Sequence, residues 1–440
     1  VASATCRAGL PLAGRLPDNG AMALTNIDDL SEPLAWPAGG NTRVPYRVYS
    51  DPEIYRLEHE RIFRGPVWHF LALEIDVAKP GDWRTGFVGE IPVVTTCDRD
   101  GRLHAFVNRC AHKGALVCLK ARGNSPTLTC VYHAWSYDLA GRLKGVAFRN
   151  GIKGKGGMPA DFDPDKLRLE PLRVATFCGL VFGTFSDRTP PIEDFIGAAM
   201  GGFLKRSVGR APLKLLGHHS QIIRSNWKLY AENVRDSYHA TLLHTFYTSF
   251  RVNRLDMDGG IILSDDGRHS VSYAKRDTWQ EAPEYREEKV HAAQYGSDLD
   301  GPALLDSFTE HDDGITHSIQ TIFPTLAVQF TLNSLAVRHF VPRGIDRTEL
   351  IWMYVGYEDD TREQTRMRTL QGNLTGPAGL VSLEDGCINE FVQRGVAGSD
   401  DGTAVLEMGG RDIASSDGSR ATETAQRGFW QGYRGLMGLA

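Results

Sequence analysis

The apolar residues of this chain change period along its length, and the changes mark its parts. Residues 51–63 (DPEIYRLEHERIF) place Ile54, Leu57 and Ile62 at helical spacing behind Asp51 and Pro52, which predicts a capped amphipathic helix. From residue 68 to about 185 the period shortens. The runs HFLALEID, WRTGFVGEIPVVTTCD, HAFVNRCA, TLTCVYHAWSYD and FCGLVFGTFS are β-rich, and Gly, Pro, Asn and Asp separate them. That texture predicts a small antiparallel β domain. Residues 149–166, rich in Gly and Lys, read as a long surface loop.

After Pro190 helices and strands mix. Helical periods predict helices at 192–203, 226–245, 361–372 and 420–437, the last with Ala421, Ala425, Phe429, Tyr433 and Met437 on one stripe. Residues 319–341 and 349–357 are strand-like. Residues 250–316 are polar, charged and irregular, and read as loops that cover or border a site. Residues 1–40 read as an arm outside the fold, extended or partly non-native. Its first 21 residues lack the charged start and apolar core of a signal peptide, and Met22 is a candidate start.

Composition narrows the partners. With 41% hydrophobic and 23% charged residues among 440, the chain is ordinary globular protein, long enough for two domains. A net charge of -5 without a basic stripe argues against nucleic acid. No window of eighteen apolar residues exists, so no membrane span is predicted. Seven cysteines are too few for a disulfide scaffold. Cys6, Cys97, Cys118, Cys178 and Cys387 read as reduced thiols of a cytoplasmic protein.

Two constellations carry chemistry. Cys110-x-His112 and Cys130-x-x-His133, seventeen residues apart, offer two thiolates and two imidazoles. Tetrahedral zinc accepts that set. So does a [2Fe–2S] cluster in which two His replace two Cys on one iron. Each knuckle carries one Cys and one His, whereas a nucleic-acid-type zinc finger pairs like with like. That order favours the cluster, with Trp135 placed to shield it from water. The second constellation is Asp236-x-x-His239-x-x-x-x-His244. Its histidines, five apart, stand about 140° apart on an ideal helix. Either they are not co-ligands, or the helix is distorted or broken between them. Two His and one carboxylate with open positions is the non-haem Fe(II) arrangement. Asp385, in Glu384-Asp385-Gly386 after the Gly376-Pro377 turn, is the best distant carboxylate, although such a run also reads as a solvated turn.

With both motifs present, the chain from about Asn41 onward is similar to the large (α) subunits of Rieske non-haem iron aromatic ring-hydroxylating dioxygenases. The resemblance implies an α+β fold. A β-sandwich Rieske [2Fe–2S] domain (67–186) would be inserted into a catalytic domain (41–66 and 187–440) whose antiparallel sheet wraps around a long helix, a helix-grip or START-like arrangement. It implies that Cys110, His112, Cys130 and His133 hold the cluster. His239, His244 and Asp385 would hold the mononuclear iron, with Asp236 bridging electron transfer between subunits to a neighbour's His133. It further implies O₂, electrons from an NADH-dependent reductase, and a small β subunit in an α₃β₃ hexamer.

Within the family, NTRVP (41–45), CVYHAWSY (130–137), GGMPADF (156–162), NSLAVR (333–338), GPAGLVSLEDG (376–386), FVQRGVAG (391–398) and SRATETAQRGFW (419–430) resemble the terephthalate-oxidising branch. Salicylate 5-hydroxylases and anthranilate or halobenzoate dioxygenases share many of these, including EMGG (407–410). An aromatic dicarboxylate needs two cationic anchors in an apolar pocket. Arg338 lies in the run LAVRHFV, where both strand faces are apolar, and such an arginine wants an anion. Arg420 is expected to open the last helix and make an anion site there, unless an acid such as Asp417 satisfies it. The resemblance matches Arg338 and Arg420 to the two arginines that clamp terephthalate's carboxylates. An internal salt bridge is the alternative for each. Arg394 reads as structural. The implied reaction is cis-dihydroxylation of terephthalate at C1 and C2. Single hydroxylation of salicylate, or dioxygenation of an ortho-substituted benzoate, is the alternative.

Overall fold

The computed structural model describes residues 35–276, 282–290, 301–399 and 401–439. Most of the predicted arm, with Met22, lies outside them, as do 277–281 and 291–300 of the predicted loop region.

The β-rich segment forms an antiparallel seven-stranded sheet drawn entirely from between His69 and Thr184, with a small three-stranded sheet beside it. Val94, Phe106, Trp135, Tyr137 and Leu143 share its core with Cys110 and Cys130. The cysteines are therefore held by packed side chains rather than by flexible loops.

A second antiparallel sheet of eight strands carries the rest of the chain. Its order is Leu213–Ile223, Thr348–Tyr357, Ser334–Pro342, Leu326–Thr331, His317–Ile322, Ser270–Lys275, Asp258–Leu263 and Ser416–Asp417. Strand Ser334–Pro342 is buried along its whole length, as its doubly apolar alternation predicts. On one face Phe340 meets Tyr230 of helix Trp227–Asn233, with ring centroids 5.3 Å apart. On the other, His339 meets Phe70 of the first sheet at 5.5 Å. Helices Arg362–Thr375, Leu380–Val396 and Thr424–Met437 also lie against this sheet. The fold is α+β, with helices gathered on the face that builds the site.

Local chemistry sets most element ends. Asp51 caps helix Pro52–Glu58 by accepting from the backbone N–H groups of Glu53 at 2.8 Å and Ile54 at 3.3 Å. Thr361 and Gln364 form a reciprocal capping box on helix Arg362–Thr375. Three predictions need correction. The helix over 192–203 is two helices, Ile192–Ile196 and Ala198–Arg206, because Gly197 between them takes a φ of 76°. The last helix starts at Thr424, four residues after Arg420. The irregular stretch 250–316 contains two strands of the second sheet, Asp258–Leu263 and Ser270–Lys275. Gly259, Gly260 and Ser272 occupy positions where an apolar side chain would have shown the alternation.

One buried polar node ties distant parts of the chain. Lys228 Nζ lies 2.5 Å from Glu58 Oε1, Trp227 Nε1 donates to Glu58 Oε2 at 2.7 Å, and Tyr433 Oη donates to Glu58 Oε1 at 2.6 Å. Lys228 and Glu58 are both fully buried. Burial pulls the lysine's pKa down, and Glu58 opposes that pull. Removing one partner leaves an uncompensated buried charge. Glu58→Ala is therefore expected to destabilise the fold by ~3–5 kcal/mol, read as a drop in the midpoint of urea unfolding.

Candidate metal centres and substrate pocket

The two Cys/His knuckles have the same backbone plan. In the first, the Cys110 N–H donates to Ala115 O at 2.8 Å and the Gly114 N–H to Cys110 O at 2.9 Å. In the second, Cys130 N–H donates to Trp135 O at 2.9 Å and Ala134 N–H to Cys130 O at 3.0 Å. Gly114 and Ala134, each four residues after its cysteine, are both left-handed, with φ of 77° and 54°. Each knuckle buries its thiol and sets its imidazole nearer the surface. The His112 and His133 rings lie 4.5 Å apart, and Trp135 stacks on His112 at 4.6 Å. Tyr137 Oη accepts from the Ala111 N–H at 3.0 Å and is left with its own proton for Cys110 Sγ, 3.3 Å away. Such a hydrogen bond to a ligating sulfur shifts a cluster's potential.

The segment predicted as one helix over 226–245 is three: Trp227–Asn233, Ser237–Leu243 and Thr245–Ser249. Asn226 and Asp236 each start a helix by accepting backbone N–H bonds, at 3.1 Å from Lys228 and at 2.8 and 3.2 Å from Tyr238 and His239. His244 falls between the last two helices with φ -85° and ψ 81°. The break expected between the histidines is there, and it turns the His244 ring back toward His239. Asp385 is not in a solvated turn. It sits inside helix Leu380–Val396 and is 6% exposed. The apolar residues around it, from Leu380 to Ile388, carry the helix through the acidic pair.

These breaks bring three side chains together. His239 Nε2 and His244 Nε2 are 3.3 Å apart, and Asp385 Oδ1 is 3.4 Å from the first and 3.3 Å from the second. Behind His244, Glu384 Oε2 holds Nδ1 at 2.7 Å. Behind His239, Asp236 Oδ2 stands 3.3 Å from Nδ1, an ion-pair distance off-line for a hydrogen bond. Burial opposes charging of His239, but Asp236 and Asp385 outweigh it and raise its pKa to about 10. Burial would raise the Asp385 carboxyl, yet the two imidazoles hold it far below the usual carboxylate range. Such a set takes a divalent cation readily. The donors already converge, and a carboxylate behind each imidazole presents Nε2 as the lone-pair nitrogen.

Among the described residues, only His239, His244 and Asp385 bring three ligating atoms within 4.8 Å of one another. Glu384 and Asn233, whose Nδ2 lies 3.2 Å from Asp385 Oδ1, escaped the sequence reading. Glu384 had a signal in its adjacency to Asp385. Asn233 had none.

The triad opens on a narrow cavity. Its floor is the second sheet, where cross-strand register aligns Ser272, Ile319 and Gln329 in one row and Arg338 with Trp352 in the next. Arg338 is 3% exposed and donates from Nη1 to Tyr230 Oη at 3.0 Å, and its guanidinium lies 4.7 Å over the Trp352 ring. Its Nε and Nη2 have no hydrogen-bonding partner among the described residues.

Arg420 is also buried, but residues 420–423 precede the helix, so the predicted helix-start anion site is absent. Its Nη1 donates to Asn253 Oδ1, on the cavity wall, at 2.5 Å, and Nη2 donates to the Arg254 carbonyl. Burial lowers its pKa to about 10. Asp417 is exposed and does not pair with it. Neither arginine has a carboxylate partner among the described residues, so the internal salt bridge is set aside for both.

Comparison with known proteins agrees with this arrangement. Residues 67–153 match the Rieske [2Fe-2S] domain family, and residues 207–438 match the ring hydroxylating alpha subunit catalytic domain. The chain is 47% identical to the α 2 subunit of the terminal oxygenase component of terephthalate 1,2-dioxygenase from Comamonas sp. over 92% of this chain and 98% of that one. It is 45% identical to the anthranilate 1,2-dioxygenase large subunit of Burkholderia cepacia, over 93% and 97% of the two chains. It is 36% identical to the large oxygenase component of salicylate 5-hydroxylase of Ralstonia sp., over 92% and 96%. In fold it resembles naphthalene 1,2-dioxygenase from Rhodococcus sp., with a TM-score of 0.75 at 23% identity, covering 90% of this chain and 94% of that one.

Three substitutions separate the two centres. Cys110→Ser is expected to abolish the visible and EPR signals of the cluster. Asp385→Ala is expected to leave those signals while iron per chain falls by the mononuclear equivalent. Glu384→Gln is expected to weaken binding of that iron about 10–100-fold, read by chelator competition.

Proposed function

This chain belongs to the ring-hydroxylating dioxygenase α subunits, Rieske [2Fe–2S] enzymes that also use a mononuclear iron, and from that premise we propose that it cis-dihydroxylates terephthalate at C1 and C2. In balance, terephthalate, O₂, NADH and a proton give the cis-dihydrodiol dicarboxylate and NAD⁺. Cys110, His112, Cys130 and His133 would hold the cluster, and His239, His244 and Asp385 the iron. When bound, the two centres supply single electrons and open coordination positions at which O₂ is activated beside the ring.

The observation that carries the substrate is two buried guanidiniums, Arg338 and Arg420, with no carboxylate paired to either among the described residues; a third on the cavity wall, Arg235, donates to the Ala231 carbonyl. Leaving a charge buried and unpaired is costly, so Arg338 and Arg420 favour an anionic occupant. Two of them suit a dianion. Arg338 would receive one carboxylate with Nε and Nη2, while Tyr230 and Trp352 hold its plane. Arg420, next to the wall at Asn253, would balance the other. Ile319, Val381 and Trp352 give the ring an apolar bed.

Asp236 lies on two walls at once. It borders the cavity, and it borders an outer groove with Tyr238, Leu242, Ile388 and Val392. A carboxylate there can orient His239 and also accept a hydrogen bond from the partner's His133, which supports electron delivery across a subunit boundary. A trimer of this chain with a small β subunit, α₃β₃, and an NADH-dependent reductase complete the proposal.

A second reading, an ortho-substituted benzoate or salicylate as substrate, draws support from the anthranilate and salicylate relatives, and it needs one anchor only. Reductase-coupled O₂ uptake with product analysis across terephthalate, phthalate, isophthalate, benzoate, salicylate and anthranilate separates the two. Terephthalate is expected to give the highest kcat/KM. Arg338→Ala is expected to lower that value by about 100-fold. Arg420→Ala is expected to erase the preference for a dicarboxylate, and full terephthalate turnover in that variant would favour the monoacid.

A further inference from the structure

His317 takes no part in the scheme so far. It begins strand His317–Ile322 and faces Thr331 across the sheet. It lines the cavity yet is only 2% exposed. Its Nδ1 lies 3.0 Å from Thr331 Oγ1, and Gln329 Nε2 donates to that same oxygen at 3.0 Å.

With Gln329 donating in, the threonine keeps its single proton free to point at Nδ1. In that arrangement the neutral imidazole carries its own proton on Nε2. Among the described residues Nε2 has no partner, and it keeps access to the cavity. Burial, then the charges of Arg420, Arg338 and His244, push the pKa of His317 down to about 3. The ring is therefore neutral across the working pH range, and it stands within the fields of both guanidiniums.

A neutral donor at this place differs from a third cation. It adds direction without adding charge, so a dianion remains balanced by two arginines. It also discriminates. A site that presents a buried N–H favours a ligand that accepts there, and it rejects one that leaves the donor unpaired. A carboxylate or hydroxyl oxygen accepts. A ring amino group facing it would set donor against donor.

We propose that His317 is a specificity-determining residue of this pocket: its Nε2–H, oriented through Gln329 and Thr331, donates to a carboxylate oxygen of an aromatic acid lodged beside Arg338 and Arg420. The inference deepens the aromatic-carboxylate reading above and rests on it. Gln329 and Thr331 are positioning residues, acting through the imidazole.

The test uses the iron-loaded oxygenase with its reductase, and the variants His317→Phe, His317→Gln and Thr331→Val. The glutamine amide restores an N–H near the Nε2 position. Thr331→Val keeps the strand and the volume but removes the hydroxyl that fixes the tautomer. His317→Phe is expected to raise the KM for terephthalate about 10–100-fold, with kcat changed less than about threefold and with iron content and Rieske absorption unchanged. It is also expected to raise the kcat/KM of anthranilate relative to terephthalate. His317→Gln is expected to recover most of the loss, and Thr331→Val to show a several-fold loss in the same direction.

Equal losses for terephthalate and anthranilate, or no recovery in His317→Gln, would overturn the proposal. If His317→Phe does not fold, the tautomer argument stands or falls on Thr331→Val. A wild type that converts only monocarboxylates removes the terephthalate reading alone. The same variants are then titrated with benzoate, where a tenfold loss of affinity with recovery in His317→Gln supports the donor and an unchanged Kd overturns it.

Discussion

Like dipoles and lone pairs repel, so two imidazole nitrogens and a carboxylate oxygen do not settle 3.3–3.4 Å apart unless their surroundings turn them inward. Here the turning force is electrostatic. Glu384 draws Nδ1 of His244 to one side, and Asp236 stands behind Nδ1 of His239, so both Nε2 atoms aim at the same point. The helices then have to end where those carboxylates need them to. Asp236 serves twice, as a cap that restarts the chain and as the charge behind His239. The backbone break at His244 follows from the same demand, because a continuous helix would point the two rings about 140° apart. The cavity, the sheet floor and the groove outside are arranged around this point.

How far the sequence alone reached depended on how local each feature is. The Cys/His knuckles were legible because each closes within six residues by its own backbone hydrogen bonds. The break between His239 and His244 was legible as a conflict between spacing and helical geometry. Asp385 needed the resemblance to a family, since a carboxylate next to a glycine in an acidic run carries no sign of burial. Arg338 was legible as a buried cation from two apolar strand faces, but Arg420 was read as an anion site from the helix dipole, and the helix starts only at Thr424. The strands Asp258–Leu263 and Ser270–Lys275 escaped because a strand that floors a polar cavity loses the alternation that reveals strands elsewhere. The neutrality of His317 could not be seen at all. It comes from burial first and then from the charges of Arg420, Arg338 and His244, brought close only by the fold.

The cavity is an example of charge regulated by position rather than by pairing. Arg338, Arg420 and His317, buried side chains that are cationic or potentially so, lie near one another, and a further guanidinium, Arg235, is on the cavity wall. Burial and the neighbouring charges keep the imidazole neutral, so it adds no further charge to the crowd. On the opposite wall the triad carries the compensating anion, Asp385. An incoming acid therefore meets a gradient across the pocket, positive at the sheet and chelating at the helices, and that gradient selects its orientation before any contact to the ring does.

The node around Glu58 has a consequence for the order in which the molecule is made. Glu58 precedes the whole first sheet, Lys228 comes in the middle of the chain, and Tyr433 stands seven residues from its end. A ribosome therefore delivers the acid early, its counter-ion 170 residues later, and the closing hydroxyl 375 residues after the acid. Until then the pair cannot be sealed from water, because the helix that covers it does not yet exist. A chain truncated by even its final helix would lose Tyr433 and leave the buried Glu58–Lys228 pair without one of its hydrogen bonds.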